Sequence, residues 1–238
     1  MRSALKERLM ADAGAGQKLL DHLETMLTEN RKEKFAEIVR NRTRHITIVL
    51  EDIFQPHNAS AVLRTCDCFG IQDVHIIENR NKYEVNPDVA LGSSKWLTIR
   101  KYNRAEDNTA ECIAGLKERG YRVIATTPHL DGYTPETLPL DEKTALLFGT
   151  ELEGLSATAA AMADGFIRIP MYGFTESLNI SVSAAVLLHT LTERLRTNPA
   201  GRGLTSEEQL EVRLEWAMNS IRRSSVIASE FLAKQSNG

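Results

Sequence analysis

Residues 167–189 read IRIPMYGFTESLNISVSAAVLLH. The apolar run Phe166 to Ile169 predicts a short strand, and Pro170, which has no N–H to give a ladder, ends it. After a loop, the spacing predicts a long helix from near Ser177. It opens on Glu176-Ser177-Leu178-Asn179, has an apolar body of Val182, Ala185, Val186 and Leu188, and closes a buried turn at His189. The small residues Ser181, Ser183, Ala184 and Ala185 allow a second backbone to come close. Polar groups gathered where a strand ends and a helix begins are where α/β proteins hold ligands. Taken alone, the stretch is equally an ordinary strand, loop and capped helix, and that plainer reading is the stronger one.

Working outward, the same texture repeats. Ile46–Leu50, Val74–Ile77, Tyr121–Ala125 and Ala145–Phe148 read as buried strands. Between them, Asn58 to Phe69 (Asn58 as N-cap), Ala105 to Arg119 (stopped by Gly120) and Ser156 to Ala163 read as helices. Residues 79–103 look irregular. Strands alternating with helices imply an α/β fold with a mostly parallel sheet covered on both faces. Residues 1–45 are charged and helical in spacing, with Gly14 and Gly16 breaking the pattern between two helices. Thr197 to Gly203 reads as a linker, and Thr205 to Lys234 as one or two further helices. The plan is an N-terminal helical extension (1–45), an α/β core (46–196) and a C-terminal helical extension (197–238).

The chain has 238 residues, 42% hydrophobic and 26% charged, with a net charge of −3. That balance suits a globular protein and argues against wholesale coating of nucleic acid, though not against a local basic patch. No apolar run approaches the roughly 18 residues of a membrane span, and the N-terminus has no signal-peptide core. Three cysteines cannot all pair, so a reducing, cytoplasmic setting is expected. Cys66 and Cys68 beside His57 or His75 match no usual zinc spacing and read as buried thiols, and no metal is expected. Phosphate-loop, nucleophile-elbow and dinucleotide-fold glycine patterns are absent.

Three segments could carry chemistry. In 58–65, Asn58 caps a helix and Arg64 pairs on a surface, or the Arg64 guanidinium fork clamps a phosphate or carboxylate. In 148–155, glycines at both ends of a turn permit close approach to a ligand, with Glu151 accepting hydrogen bonds inside it. In 169–179, Ile169, Met171 and Leu178 either pack in a core or wall a flat aromatic ligand. Each is weak alone.

Together, PHNASAVLRTCD (56–67), GTELEGL (149–155) and IPMYGFTESLNIS (169–181) resemble, in order, the three motifs of the SpoU/TrmH family of RNA ribose 2'-O-methyltransferases. GSSKW (92–96) and IATT (124–127) are also similar to family features, and Glu176 departs from the family's usual Gln. The form of the first motif most resembles the TrmH branch, which modifies a D-loop guanosine of tRNA. The resemblance implies a deep C-terminal trefoil knot, a homodimer whose interface builds the site, S-adenosyl-L-methionine as cofactor and tRNA as partner. It implies cofactor contacts at Thr126, Gly149, Ile169, Met171 and Leu178. It implies catalytic or structural polar roles for Asn58, Arg64, Glu151, Ser177 and Asn179, with Arg64 the candidate to handle the 2'-hydroxyl proton. A guanidinium is normally charged, and a bound RNA phosphate could orient the groups and relay that proton, making catalysis partly substrate-assisted. The competing expectations are the same chemistry on ribosomal RNA, a non-catalytic RNA-binding module, and a base-modifying knotted methyltransferase.

Overall fold

The computed structural model describes residues 13–83, 86–150, 153–197 and 202–236. In chain order the elements begin with α1 (Ala13–Glu24), α2 (Glu29–Val39), β1 (Ile46–Glu51), α3 (Pro56–Phe69) and β2 (Asp73–Ile77). A short α4 (Pro87–Ala90), β3 (Thr98–Tyr102), α5 (Thr109–Glu118), β4 (Tyr121–Thr126) and β5 (Lys143–Phe148) follow. The chain ends with α6 (Ala157–Met162), β6 (Gly165–Ile167), α7 (Ile180–Thr197), α8 (Ser206–Ser220) and α9 (Ser224–Ser236). It divides into two compact units, Thr43–Arg202 and, separately, Met1–Arg42 with Gly203–Gly238.

The Thr43–Arg202 unit is built on one six-stranded sheet in the order β3-β2-β1-β5-β4-β6, parallel throughout. Successive side chains of a strand point to opposite faces. Ile46, Ile48 and Leu50 of β1 accordingly enter one core with Val62 and Leu63 of α3 and Ala184, Leu188 and Leu191 of α7. Val49 enters the other, with Ile113 and Leu116 of α5 and Ala159 of α6. Burial on both faces is why a parallel strand reads as a continuous apolar run.

In the other unit, α1 packs on α8 around Leu19, Leu20, Leu23 and Trp216. Phe35 of α2 meets the Trp216 ring at 5.4 Å, Arg42 lies over the same ring at 5.3 Å, and Arg213 Nη2 donates to Glu24 Oε1 at 2.6 Å. Thr205 and Glu208 form a reciprocal capping box at the start of α8. No helix among the described residues is long and apolar enough to cross a membrane.

Several expectations are corrected. The irregular stretch 79–103 contains β3, a half-buried edge strand of sequence TIRKY whose polar residues hid it. The helix expected from Ala105 starts at Thr109, because the buried Asn108 Oδ1 accepts from the N–H of Arg104 and Ala105 at 2.9 Å each and curls that segment into a loop. Gly14 and Gly16 lie inside α1 rather than breaking it; a Cβ on Gly16 would stand 3.3 Å from Leu210, so close packing overrides poor propensity. Leu5 and Leu9 lie outside the described residues. The N-cap of α3 is Gln55, with Pro56 favourably at N1, and Asn58 sits one turn inside. β6 stops at Ile167, and α7 starts at Ile180 rather than near Ser177. Val182, Val186 and His189 face solvent instead of the core, and Cys68 is exposed while Cys66 and Cys112 are buried.

Candidate active site

Three strands end at one cavity of about 530 Å³. Its walls come from the last residue of each strand and the residues after it, at β4 (Thr126 to Leu130), β5 (Phe148 to Thr150 and Glu153 to Leu155) and β6 (Ile167 to Ile169, Met171), and from Ser177 to Ile180 at the head of α7. A crevice beyond the carboxyl ends of parallel strands is where such sheets hold ligands.

The local causes are legible residue by residue. Thr126 ends β4 and its Oγ1 donates to Leu147 O at 3.0 Å, which turns the next residues over the cavity. Thr127 N–H donates to Ile167 O at 3.1 Å, and Tyr133 N–H to Phe166 O at 2.8 Å, so the loop after β4 is pinned along β6. After β5, Gly149 lies against the backbone of Gly154, and a Cβ there would overlap the Gly154 carbonyl. Thr150 and Gly154 exchange backbone hydrogen bonds of 2.9 and 3.1 Å that close the turn. Among the described residues, the main-chain groups of Ile169, Met171 and Leu178 make no hydrogen bond, which leaves them to a ligand.

Asn179 caps α7: its Oδ1 accepts from Ser181 N–H at 2.9 Å and Ser181 Oγ at 2.7 Å, and its carbonyl accepts from Ser183 N–H at 2.9 Å. Its Nδ2 donates to Asn58 Oδ1 at 3.2 Å, while Asn58 Nδ2 donates to Gln55 Oε1 at 3.3 Å. The first and third sequence segments therefore meet through these two amides, 121 residues apart.

Of the residues singled out from sequence, Thr126, Gly149, Ile169, Met171, Ser177, Leu178 and Asn179 line the cavity. Asn58 lies behind it, buried, and reaches it through Asn179. Arg64 is exposed on α3, outside the lining, and no described residue pairs with it. Glu151 lies outside the described residues. Thr127, the second threonine of the IATT segment, lines the cavity beside Thr126, and sequence reasoning missed His129, Glu153 and Arg168, which also line it. Arg168 carried no signal, being a single charge just past the strand that stops at Ile167. His129 carried no signal beyond its loop. Arg168 pairs with Asp131 at 3.2 Å, and Arg80 holds the Glu153 carboxyl below the usual range through a 2.6 Å hydrogen bond. Among the described residues, no three His, Cys, Asp or Glu side chains cluster as a metal site would require.

The apolar walls, unpaired main-chain groups and glycine-shaped floor suit a flat heteroaromatic ligand with a polar tail. An adenosine with a sulfonium side chain has that shape.

A sequence profile described as the SpoU rRNA Methylase family matches residues 45–189. The chain is 42% identical over 194 residues to the tRNA (guanosine(18)-2'-O)-methyltransferase of Borreliella burgdorferi, covering 82% of this chain and 87% of that protein. It is 40% identical over 161 residues to the enzyme of the same name from Thermus thermophilus, covering 68% and 81%. Among solved structures it is similar to the Aquifex aeolicus TrmH/SpoU tRNA modifying enzyme, with a TM-score of 0.73, 28% identity, and 82% and 98% of the two chains covered.

Proposed function

This chain belongs to the SpoU methylase family, and we propose that it transfers a methyl group from S-adenosylmethionine to the ribose 2'-hydroxyl of the D-loop guanosine 18 of tRNA. The observation that carries this is the cavity, which gathers residues of the second and third motifs and reaches the first through the Asn58–Asn179 bond.

The cofactor supplies a methyl carbon on a sulfonium, an electrophile that accepts a nucleophile in line. The protein's part is positioning, which for such a displacement can account for much of the rate. Ile169, Met171 and Leu178 wall the pocket and offer main-chain hydrogen bonds. Thr126 and Gly149 shape its floor. Asn179, held by Asn58 and by its cap, and Ser177 present polar groups where the sugar must arrive. Arg64, exposed and with no described partner, offers its guanidinium fork to an RNA phosphate beside the reacting hydroxyl, and the phosphate takes the hydroxyl proton. Glu151 keeps the polar role that its motif implies.

The functional molecule in this reading is a homodimer. Leu178, Val182 and Val186 present apolar side chains to solvent along the head of α7, a surface that a second subunit would bury. The C-terminal part of the α/β core is tied in a trefoil knot. The helical extensions at both ends of the chain grip tRNA, and the enzyme works in the cytoplasm, without a metal. The 2'-hydroxyl is what separates RNA from DNA at such a site.

The test is incubation of the protein with labelled S-adenosylmethionine and either total tRNA or ribosomal RNA fragments, followed by mapping of the methylated nucleotide. We expect 2'-O-methylguanosine at position 18 of tRNA. Label in ribosomal RNA alone, or label on a base, would overturn the assignment.

A further inference from the structure

Loops leaving the carboxyl edge of the sheet at β1, β2 and β5 are tied together beside the cavity by a chain of charges. Asp52 follows β1 in the left-handed region, at φ 58°, where a residue with a side chain is uncommon. Its side chain is 5% exposed, and its carboxylate accepts from the backbone N–H groups of Asn79, Arg80 and Asn81 at 3.0, 2.8 and 2.9 Å. Arg80 Nε adds a fourth donor at 3.1 Å, and Asn81 Nδ2 donates to the Asp52 carbonyl at 2.8 Å. Burial pushes this carboxyl up, and the donors outweigh it and leave it below its ordinary value.

Arg80 is thus held at its backbone and at Nε, and it projects Nη2 outward to Glu153 Oε2 at 2.6 Å. Glu153 is part of the cavity wall. Its N–H donates to Thr150 Oγ1 at 3.0 Å, and the next residue is Gly154, whose backbone stands against Gly149. A displacement of Glu153 therefore moves the wall on which the pocket depends.

We propose that Asp52 and Arg80 are positioning residues for the methyl-donor pocket: buried Asp52 fixes Arg80, and Arg80 holds the Glu153–Leu155 wall in the conformation that takes the donor. This rests on reading the cavity as the donor site. An exposed ion pair usually contributes little, because ordering two long side chains offsets the attraction. Here one partner is ordered beforehand by Asp52, so that cost is already met within the fold. Breaking the Arg80–Glu153 contact leaves no bare buried charge, since the three backbone N–H groups remain on Asp52. The variants should fold.

The experiment compares wild type, Glu153→Gln, Arg80→Met and the double variant. Isothermal calorimetry with S-adenosylhomocysteine reads pocket affinity, and steady-state kinetics with tRNA reads KM and kcat. We expect each single variant to bind about five-fold more weakly, with donor KM rising in parallel, kcat at saturating donor within about two-fold, and melting temperature unchanged in Glu153→Gln and lowered in Arg80→Met, which also loses the Nε bond to Asp52. The double variant should bind no more weakly than Arg80→Met, because both residues act through one contact. Wild-type affinity should fall with added salt, and Glu153→Gln should lose that dependence. Unchanged affinity in both single variants, or additive losses in the double, would overturn the proposal while leaving the pocket assignment standing. A wild-type protein that binds neither donor nor product would overturn both. Should Arg80→Met fail to fold, Glu153→Gln, whose side chain is 66% exposed, decides alone.

Discussion

Asn179 joins two parts of the site with one amide. Its oxygen caps α7 and its nitrogen reaches Asn58. Asn179→Asp separates the two roles, since aspartate caps as well as asparagine but cannot donate. We expect a modest loss of thermal stability and a kcat about ten-fold lower, from loss of the amide contact with Asn58; a loss of thermal stability with kcat unchanged would assign Asn179 to folding alone. At Arg64, Lys keeps the charge and loses the fork. Arg64→Lys should bind tRNA normally and methylate it at least about ten-fold more slowly, and a near-normal rate in the labelled-methyl assay would remove any need for a guanidinium. Both residues were legible in the sequence because their motifs place them. Glu153 and Arg168 were not, because an exposed charge in a loop looks the same whether or not a cavity lies behind it.

At the scale of elements, the pairing of β2 with the edge strand β3 carries a titratable group. His75 of β2 is buried, its Nδ1 stands 3.1 Å from Tyr102 Oη of β3, and burial together with Arg119 and Arg100 pushes its pKa down to about 3. The folded state therefore refuses a proton that the unfolded chain accepts below about pH 6.5. Stability from this group is complete above pH 6.5 and is lost progressively as pH falls toward 3, by about 2 kcal/mol between pH 6.5 and 5. His75→Asn should flatten that acid limb in urea titrations at the two pH values, and an unchanged limb would place the loss elsewhere. The sequence revealed β1, β2, β4 and β5 because burial on both faces makes their centres largely apolar. It hid β3, which lies at the edge and is half exposed. It placed the start of α7 three residues early, because which amide caps a helix depends on where the loop enters.

For the whole molecule, the exposed apolar side chains of α7 are the ground for the proposed homodimer. Val186→Glu should sediment as a monomer and lose methylation while each subunit still binds S-adenosylhomocysteine; a variant that stays dimeric would move the interface off this helix. The unit formed by Met1–Arg42 and Gly203–Gly238 is internally packed around Trp216. A fragment of residues 43–202 should keep donor affinity and lose most of its tRNA affinity, read by calorimetry and filter binding at one salt concentration. Equal loss of both would give the terminal helices a structural role instead.

By itself the sequence determined the layered α/β plan, through strand burial and turn residues, and the three motifs with the chemistry their family performs. Those are local facts, written in neighbouring residues. Only the tertiary structure decided the strand order, the meeting of Asn58 with Asn179, the enclosure of Gly149 by Gly154, and the tie from Asp52 through Arg80 to Glu153. Each joins side chains or backbone brought together by the sheet, and a contact made across space leaves no period, spacing or composition in the chain for a reader to find.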